Sequence, residues 1–330
     1  MSLAIGVIVG ICGLAVLAGG AWYVHHLFEG ERYVRDRLRE RRLAGASLAE
    51  WDARWALVED KADVVVSLTT IPSRIGVIDH ALKGLLDQSR PPRKIVLNVP
   101  YRSLREDCAY EVPEHLEGLR GIEIRRCEDM GPATKAIPTL LAEEADQVVM
   151  VVDDDRIYPR DAVEGIEKAA AALPDCAVCY AGWTVPETLV DAPTTIRSNL
   201  FMLPPAPLRG TRLRVPRETD VLLGVFGYAL RPRFFDLAVL ADFSDIPRAC
   251  FFADDVRTSA LCKAPKMVVP TRGLSFIPRK DWGQLQDTAL GHINAGDGSL
   301  ENRSNTIAIR HYAERWRVGG PSLAKARETR

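Results

Sequence analysis

The pattern of apolar and polar positions begins with a long apolar segment that no charged residue interrupts. Leu3–Val24 extends over 22 residues, and about 20 are enough for a helix to cross the hydrocarbon core of a bilayer. Trp22 and Tyr23 stand at its end, where aromatic side chains favour the membrane interface. We therefore predict a single transmembrane anchor over residues 1–28. A cleaved signal peptide is the alternative, but it would have a basic start, and no lysine or arginine precedes Arg32.

A charged segment follows the apolar one, and Glu29–Arg42 contains six arginines. By the positive-inside rule, these arginines keep the flank in the cytoplasm. The expected protein is therefore a single-pass protein of the cell membrane, with the body of the chain on the cytoplasmic side. Residues 29–60 are predicted to form a juxtamembrane helix that serves as a stalk. Binding of anionic lipid headgroups by the arginines is the alternative function of this segment.

From Asp63 onwards the pattern alternates between short β-branched runs and stretches with helical spacing. Such alternation indicates βαβ units and a mainly parallel sheet with helices on both faces. This α/β domain is expected to span 61–272, and the tail over 273–330, with a short helix, is expected to pack on it. The predicted strands are 63–70, 94–100, 121–127, 148–152, 176–181 and 267–270, and the predicted helices are 76–88, 134–145, 161–173 and 247–263.

One region breaks the alternation. Residues 183–216 contain six prolines and little periodicity. Loops of this length inside a domain usually cover or form a binding site. We expect this loop to contribute to function.

Composition bears on nucleic-acid binding and on the state of the cysteines. The 330 residues have a formal net charge of −1, which gives no support to nucleic-acid binding. The seven cysteines are an odd number and are spread widely. We interpret them as reduced thiols, which agrees with a cytoplasmic domain.

Three consecutive aspartates, Asp153, Asp154 and Asp155, directly follow the apolar run Val148–Val152. They therefore stand at the carboxyl end of a predicted strand, where open α/β sheets bind their ligands. Adjacent carboxylates repel one another, and a divalent cation such as Mn²⁺ or Mg²⁺ would relieve this repulsion. An acidic turn that caps the next helix is the alternative.

Three further polar segments follow the same logic: Thr69–Arg74 after the first strand, the Gly-Pro-Ala-Thr-Lys segment 131–135, and Asp254-Asp255. The first two should meet the aspartates at one edge of a doubly wound sheet. Residues 131–135 offer backbone N–H groups, a hydroxyl and an ammonium to phosphate oxygens. A plain helix start with a solvated lysine, and a surface role for Arg74, are the alternatives.

Four segments together resemble a known family of enzymes. They are SLTTIPSRI from Ser67, VVMVVDDD from Val148, GVFGYALRPRFF from Gly224 and FFADDVRTS from Phe251. Over residues 63–270 the chain is similar to inverting nucleotide-sugar glycosyltransferases of the GT-A fold, close to family 2. The resemblance implies a GT-A domain, which is Rossmann-like with a mainly parallel sheet, preceded by one transmembrane helix.

The resemblance also implies roles for particular residues. Asp153 and Asp155 would hold Mn²⁺ or Mg²⁺ as a DxD motif, and one of Asp254 and Asp255 would be the catalytic base. Adjacent helical residues point about 100° apart, so only one of that pair should face the site, and the family pattern favours Asp255. The residues assigned to the donor nucleotide are Thr69, Thr70, Arg74, Lys135, Asp153 and Asp154, and those assigned to the acceptor side are Gly227 and Tyr228.

The implied function is transfer of a sugar from a nucleotide-sugar donor to a glycan or lipid-linked acceptor, as in envelope polysaccharide or glycolipid synthesis. The chain lacks a Gln-x₂-Arg-Trp processivity motif, and a late histidine, His292 or His311, is a further candidate metal ligand. The alternatives are a nucleotidyltransferase acting on sugar phosphates, a phosphotransferase of the haloacid dehalogenase type, and a non-catalytic membrane-anchored scaffold. The nucleotidyltransferase class usually has a Gly-rich loop after its first strand, and TTIPSR from Thr69 contains no glycine.

Overall fold

The computed structural model describes residues 2–30 and 32–322. The chain starts with three helices, α1 (Ser2–Glu29), α2 (Tyr33–Ala44) and α3 (Leu48–Ala56). The first half of the α/β domain contains β1 (Ala62–Thr69), α4 (Asp79–Leu86), β2 (Pro92–Pro100), β3 (Ile122–Cys127), α5 (Ile137–Ala142), β4 (Val148–Val151), α6 (Ala162–Ala172), β5 (Ala177–Cys179) and β6 (Ala181–Trp183). The remainder contains α7 (Ile196–Phe201), β7 (Leu208–Arg209), β8 (Arg217–Thr219), β9 (Val221–Leu222), β10 (Tyr228–Leu230), α8 (Leu237–Ala241), α9 (Arg248–Phe252), α10 (Asp254–Leu261), β11 (Lys266–Val268), α11 (Trp282–Asp287), α12 (Leu290–Asn294) and α13 (Ser304–His311).

Helix α1 contains the segment that the sequence assigns to the membrane. Ile5–Val24 has a mean hydropathy of 2.2, and none of it is buried against the rest of the protein. By length and composition it is able to cross a bilayer. A signal sequence has the same properties, so the choice of an uncleaved anchor, and the side of the membrane on which the domain lies, stay predictions.

The central sheet has eight strands in the order β3-β2-β1-β4-β10-β5-β11-β8. The strands β3, β2, β1 and β4 are mutually parallel, and β5 pairs with β11 in parallel. Within this sheet, β10 and the edge strand β8 are the described strands that run antiparallel to their neighbours. This arrangement confirms the predicted α/β class with a mainly parallel sheet. A second, three-stranded sheet has the order β7-β6-β9.

The antiparallel direction of β10 determines what surrounds the aspartates. An antiparallel strand begins at the edge where its parallel neighbours end. The turn Gly224–Phe226, which precedes β10, therefore lies beside the residues that follow β4. The sequence suggested a glycine-rich apolar run here but did not give its direction.

The structure differs from the sequence prediction at two places near this edge. The predicted strand 176–181 is divided into β5 and β6, which belong to different sheets. The predicted helix 247–263 is divided at Ala253, whose φ of −91° and ψ of 57° are not helical. Because of this break, α10 starts anew at Asp254. The pair Asp254-Asp255 thus lies at a helix start and not within a helix.

The helices α2 and α3 pack on the α/β domain. Leu43, Leu48, Trp51 and Trp55 are buried in the same core cluster as the side chains of β1 and α4. Helix α3 begins with a capping box in which Ser47 and Glu50 satisfy each other's backbone N–H groups, an arrangement that fixes the start of a helix. The segment that the sequence assigns to a stalk is therefore part of the folded domain.

The C-terminal tail also contributes to the core. Ala308, Ile309 and Trp316 pack with Trp183 and Cys250 in a separate buried cluster. Because Trp183 ends β6, this cluster connects α13 to the region that contains the site described below.

We predict that truncation of Trp55 destabilises the domain. Its side chain is 8% exposed, and its indole N–H donates to the carbonyl of Pro92 at 3.0 Å. Removal of a buried tryptophan costs about 3–5 kcal/mol, so Trp55→Ala should lower the free energy of unfolding by that amount. Chemical denaturation of the detergent-solubilised chain, followed by circular dichroism, measures it.

Leu57→Ala is the matched control, because Leu57 is 82% exposed and such substitutions change stability by only about 0.5 kcal/mol. Equal effects of the two variants would show that α3 does not belong to the cooperative core.

Candidate active site

A cavity of about 280 Å³ opens at the edge of the sheet where the parallel strands end. Its walls come from segments that are far apart in the sequence but follow neighbouring strands. They contain polar residues from the loops after β1, β2, β3 and β4, and apolar residues from the turn before β10 and from α9. Among the lining residues are Thr69, Thr70, Arg74, Arg105, Tyr110, Asp129, Lys135, Asp153, Asp154, Asp155, Trp183, Leu223, Val225, Phe251, Phe252, Asp254 and Asp255.

The three aspartates after β4 are directed differently. Asp154 is 8% exposed, and both of its carboxylate oxygens are bonded within the protein. Oδ1 accepts from Arg74 at 3.1 Å, and Oδ2 accepts from the hydroxyl of Thr70 at 2.6 Å. Asp153 and Asp155 are more exposed than Asp154 and line the cavity with it. Asp153 and Asp155 are thus the more accessible residues of the triplet.

Lys135 joins the triplet to the second acidic segment. Its ammonium lies 2.9 Å from Asp153 Oδ1, 3.0 Å from Asp254 Oδ2 and 3.4 Å from Asp255 Oδ1. Burial by itself would lower the pKa of Lys135, but the three carboxylates outweigh it and hold the pKa well above its usual value. The lysine is therefore a permanent positive charge among the carboxylates.

The turn of 3₁₀-helix Gly131–Lys135 holds this lysine in place. Gly131 has a φ of 62°, which glycine adopts without strain. A Cβ at Gly131 would come within 2.5 Å of the ring of Phe251. The backbone N–H of Met130 donates to Thr134 at 2.9 Å. The glycine and the threonine of the Gly-Pro-Ala-Thr-Lys segment thus have local structural roles.

Asp254 and Asp255 both line the cavity, although the sequence predicted that only one of them would. The prediction assumed a continuous helix, but the break at Ala253 makes them the first two residues of α10. Side chains at a helix start extend past its end, so both reach Lys135. Asp255 Oδ2 also accepts from the backbone N–H of Gly224 at 2.8 Å.

Burial raises the pKa of Asp255 to about 7. Lys135 acts in the opposite direction, and the neighbouring carboxylates of Asp254 and Asp153 raise the pKa further. Burial likewise raises the pKa of Asp254. A carboxylate with a pKa near neutrality is an effective proton acceptor at physiological pH.

Gly224 is required by the close approach of these groups. A Cβ at this position would lie 2.6 Å from Lys135 Nζ and 2.9 Å from Asp255 Oδ1. Any other residue here would have to displace either the ammonium or the carboxylate.

Arg74 is buried and binds the triplet to the C-terminal region. Its guanidinium lies 3.1 Å from Asp154 and 3.3 Å from Asp155. It also donates to the carbonyl of Leu285 at 2.8 Å and to the hydroxyl of Thr288 at 2.7 Å. The sequence assigned Arg74 to the donor nucleotide, and this assignment stays a prediction. The four contacts show that its guanidinium also holds the aspartates in position.

The other residues predicted for the donor and acceptor have different surroundings. Thr69 lines the cavity, but its hydroxyl donates to the carbonyl of Asn98 at 2.8 Å. Tyr228 is fully buried in β10 between β4 and β5. Gly227 has a φ of 87° at the start of that strand, where a Cβ would meet Met150 at 2.9 Å. From the segment that starts at Gly224, Val225 lies on the cavity wall, next to Leu223, which precedes the segment.

The structure describes the side chain of only one of the two histidines that were candidate metal ligands. The side chain of His292 lies outside the described part of the structure. His311 is exposed on α13, and its ring packs edge-on against Tyr312 with a centroid distance of 4.7 Å.

Sequence reasoning missed several residues of the cavity. Arg105 follows β2 and Asp129 follows β3, so the rule that ligands bind at strand ends would have found both. Trp183, Phe251 and Phe252 had no such signal. They reach the cavity because β6 belongs to the second sheet and α9 is a separate helix.

The donor atoms of the site suit a divalent cation. Six aspartates line the cavity. Among the described residues, the side-chain cations paired with five of them are Lys135, Arg74 and Arg156. Among the described residues, no group of three or more histidine, cysteine or acidic side chains forms a complete metal site. Mg²⁺ is commonly held by one or two carboxylates together with substrate phosphates. The pair Asp153 and Asp155 fits that partial kind of site.

Comparisons with known proteins find likeness in structure only. No family model matches the chain, and no curated protein matches it. S. aureus TarS 1-349 is 12% identical, with 70% of this chain and 68% of that chain covered and a TM-score of 0.44. The mannosyltransferase PcManGT from Pyrobaculum calidifontis, in complex with GDP-Man and Mn²⁺, is 17% identical over 88% and 86% of the two chains, with a TM-score of 0.42.

A third solved structure is 4-diphosphocytidyl-2C-methyl-D-erythritol synthase, which is 13% identical over 68% of this chain and 99% of that chain, with a TM-score of 0.39. At these identities and TM-scores the likeness supports no statement about the activity of this chain.

We predict that Arg74→Ala destabilises the folded chain by about 3–5 kcal/mol, because it leaves the buried carboxylate of Asp154 without its charge partner. Thermal unfolding measures the change. Arg102→Ala is the control, since Arg102 is 59% exposed in its pair with Asp107 and such pairs contribute at most about 1 kcal/mol. Wild-type stability of Arg74→Ala would contradict the positioning role.

Proposed function

We propose that this chain is a metal-dependent inverting glycosyltransferase, which transfers a sugar from a nucleotide-diphosphate sugar to an acceptor hydroxyl. One observation carries the proposal. Two acidic groups, Asp153 with Asp155 and Asp254 with Asp255, face one cavity and are joined by Lys135. The first group suits a cation and a diphosphate, and the second suits a proton acceptor.

The donor diphosphate belongs beside Asp153 and Asp155. These two residues would hold Mn²⁺ or Mg²⁺ together with the diphosphate oxygens. When bound, the cation supplies Lewis-acid stabilisation of the charge on the leaving diphosphate. Lys135 adds a fixed positive charge on the same side, and Arg105 in the cavity wall offers another. The loop of Thr69 and Thr70 provides the wall for the nucleoside.

Asp255 is the base in this proposal. Its pKa of about 7 allows it to accept the proton of the acceptor hydroxyl as the new C–O bond forms. The bond from Gly224 to Oδ2 fixes the carboxylate and leaves Oδ1 toward Lys135. A single displacement with the base and the leaving group on opposite sides of the sugar inverts the configuration. The acceptor then lies against Trp183, Leu223 and Val225.

The acceptor class follows from the anchor. A chain held by α1 works next to the bilayer, and we place the domain on the cytoplasmic face because of the arginines in Glu29–Arg42. A glycan or lipid-linked acceptor of envelope or glycolipid synthesis fits that location.

The donor and the cation are tested together. Thermal-shift screening of nucleotide sugars with Mn²⁺ identifies the donor, and release of nucleoside diphosphate measures turnover. We expect release to require Mn²⁺ or Mg²⁺, to stop with a chelator, and to fall at least about a hundredfold in Asp155→Ala. Asp107→Ala removes an exposed carboxylate and should leave release unchanged.

Two results would contradict the proposal. Full turnover in the presence of the chelator would show that the reaction does not require a cation. Formation of pyrophosphate from a nucleoside triphosphate and a sugar phosphate would instead identify a nucleotidyltransferase.

The base is tested by the pH dependence of kcat/KM. A carboxyl group with a pKa of about 7 is protonated and inactive below that pH, so the rate should rise through pH 7 and level off above it. Asp255→Asn should lose about 10²–10⁴-fold. Lys135→Met should move the rising limb to higher pH, because Lys135 lowers the pKa of Asp255.

Asp254→Asn should move the same limb to lower pH, because Asp254 raises that pKa. These opposite shifts separate the two aspartates. If Asp254→Asn abolishes turnover and Asp255→Asn only shifts the profile, Asp254 is the base.

A further inference from the structure

The domain touches α1 at the end of the predicted membrane span. The ring of Trp22 packs edge-on against Tyr33 with a centroid distance of 5.1 Å. The guanidinium of Arg279 lies 4.3 Å from the centre of the Tyr33 ring. The start of α2 and the loop containing Arg279 thus lie beside Trp22, the residue predicted to stand at the membrane interface. The adjoining face of the domain has to lie close to the headgroups.

An arginine-lined cavity of about 320 Å³ opens on this face. Its polar lining consists of one carboxylate, Asp36, and five arginines, which we call the arginine pocket: Arg32, Arg35, Arg39, Arg42 and Arg160. The floor is closed by apolar side chains that include Leu274 and Phe276. A small concave site with several converging guanidinium groups is the chemistry that recognises a phosphate.

Their contacts divide four members of the arginine pocket into two pairs. Arg39 is buried and bonded to Asp87, which also binds Arg42 at 2.8 Å, and these pairs hold α2 on the domain. Arg35 and Arg160 have longer contacts, 3.6 Å to Asp161 and 3.7 Å to Asp87. Their side chains are 48% and 54% exposed.

Among the described residues that line the arginine pocket, five are arginines and one is a carboxylate. Arg35 and Arg160 each lie more than 3.5 Å from the carboxylate that they face. An anionic ligand would offer these two guanidinium groups closer partners. Arg35 and Arg160 are the groups best placed to bind it, because they are exposed and only loosely paired.

An apolar patch adjoins the same end of α1. We define it as Ile196, Leu200, Phe201 and Leu203, which are 90%, 45%, 60% and 45% exposed. Arg212 connects the patch to the anchor, because its guanidinium lies 5.1 Å from the ring centre of Phe28 and donates to the carbonyl of Asn199 at 2.6 Å. Exposed apolar side chains next to a membrane span are typical of a segment that enters the interface.

We propose that this face of the domain docks on the bilayer, with the apolar patch in the interface and a phosphate headgroup of an anionic phospholipid in the arginine pocket. The inference rests on the anchor that is part of the proposed function. It deepens that function, because the loop containing the patch also bonds to the cavity: the indole of Trp183 donates to the carbonyl of Pro205 at 2.9 Å. Docking places this loop between the active site and the lipid surface, where a lipid-linked acceptor arrives.

The lipid in the arginine pocket is tested by native mass spectrometry of the full chain in detergent, titrated with phosphatidylglycerol or phosphatidylcholine. We expect a preference for phosphatidylglycerol that falls at least about tenfold in Arg35→Gln/Arg160→Gln. Arg102→Gln/Arg126→Gln removes the same charge at exposed positions and should keep the preference. Inorganic phosphate is added as a competitor, to distinguish binding of a lipid headgroup from binding of a free anion. We expect it to displace phosphatidylglycerol only weakly.

The apolar patch is tested in nanodiscs that contain spin-labelled lipid. With the exposed Cys12 and Cys108 replaced by serine, a fluorophore is attached at Phe201→Cys or at the control Val239→Cys. Val239 is 51% exposed on α8, which packs against α5 and α10. We expect the lipid to quench the label at 201 and not the label at 239.

Failure of docking and failure of the anchor give different results. Extraction of the wild-type chain from membranes by alkaline carbonate would refute the anchor. A chain that resists extraction but shows equal quenching at both positions, or no preference for phosphatidylglycerol, would overturn the docking proposal. Equal loss of the preference in the two double variants would show that general charge attraction explains it. That result would overturn the arginine pocket as a lipid-binding site.

Discussion

The ammonium of Lys135 is the constraint on which the candidate site depends. It bonds to Asp153 at the end of β4 and to Asp254 and Asp255 at the start of α10. Without this ammonium, the three carboxylates would repel one another. One buried lysine therefore holds two acidic segments, separated by about a hundred residues of sequence, at the two sides of one cavity.

The surrounding structure buries Lys135 and fixes its position. The antiparallel strand β10 brings Gly224 next to Lys135, and no side chain larger than hydrogen fits there. Tyr158 ties the two sides together, because its hydroxyl accepts from the backbone N–H of Asp153 at 3.0 Å and donates to the carbonyl of Gly224 at 3.2 Å. Burial of these groups raises the pKa of Asp255 to about 7. The topology of the sheet thus sets the proton affinity of the proposed base.

The same fold relates the site to the membrane. Helices α2 and α3, which look like a stalk in the sequence, are packed into the domain core through Trp51 and Trp55. Trp22 near the end of α1 packs against Tyr33 at the start of α2. In the proposed anchored transferase, these contacts would orient the candidate site relative to the anchor. In a transferase with a lipid-linked acceptor, such an orientation would limit which part of the acceptor reaches the base.

The sequence by itself determined the features that depend on local pattern. The uncharged run before Val24, the alternation of strands and helices, and the aspartates after β4 all follow from the order of residues, because strand ends and apolar periodicity are local properties. Only the tertiary structure decided that Asp254 and Asp255 both line the cavity. It also decided that Arg74 pairs with the buried Asp154 and that Tyr228 is buried. Those outcomes depend on the break at Ala253, the direction of β10 and the ion pairs of Lys135, which are contacts between distant segments that no local pattern records.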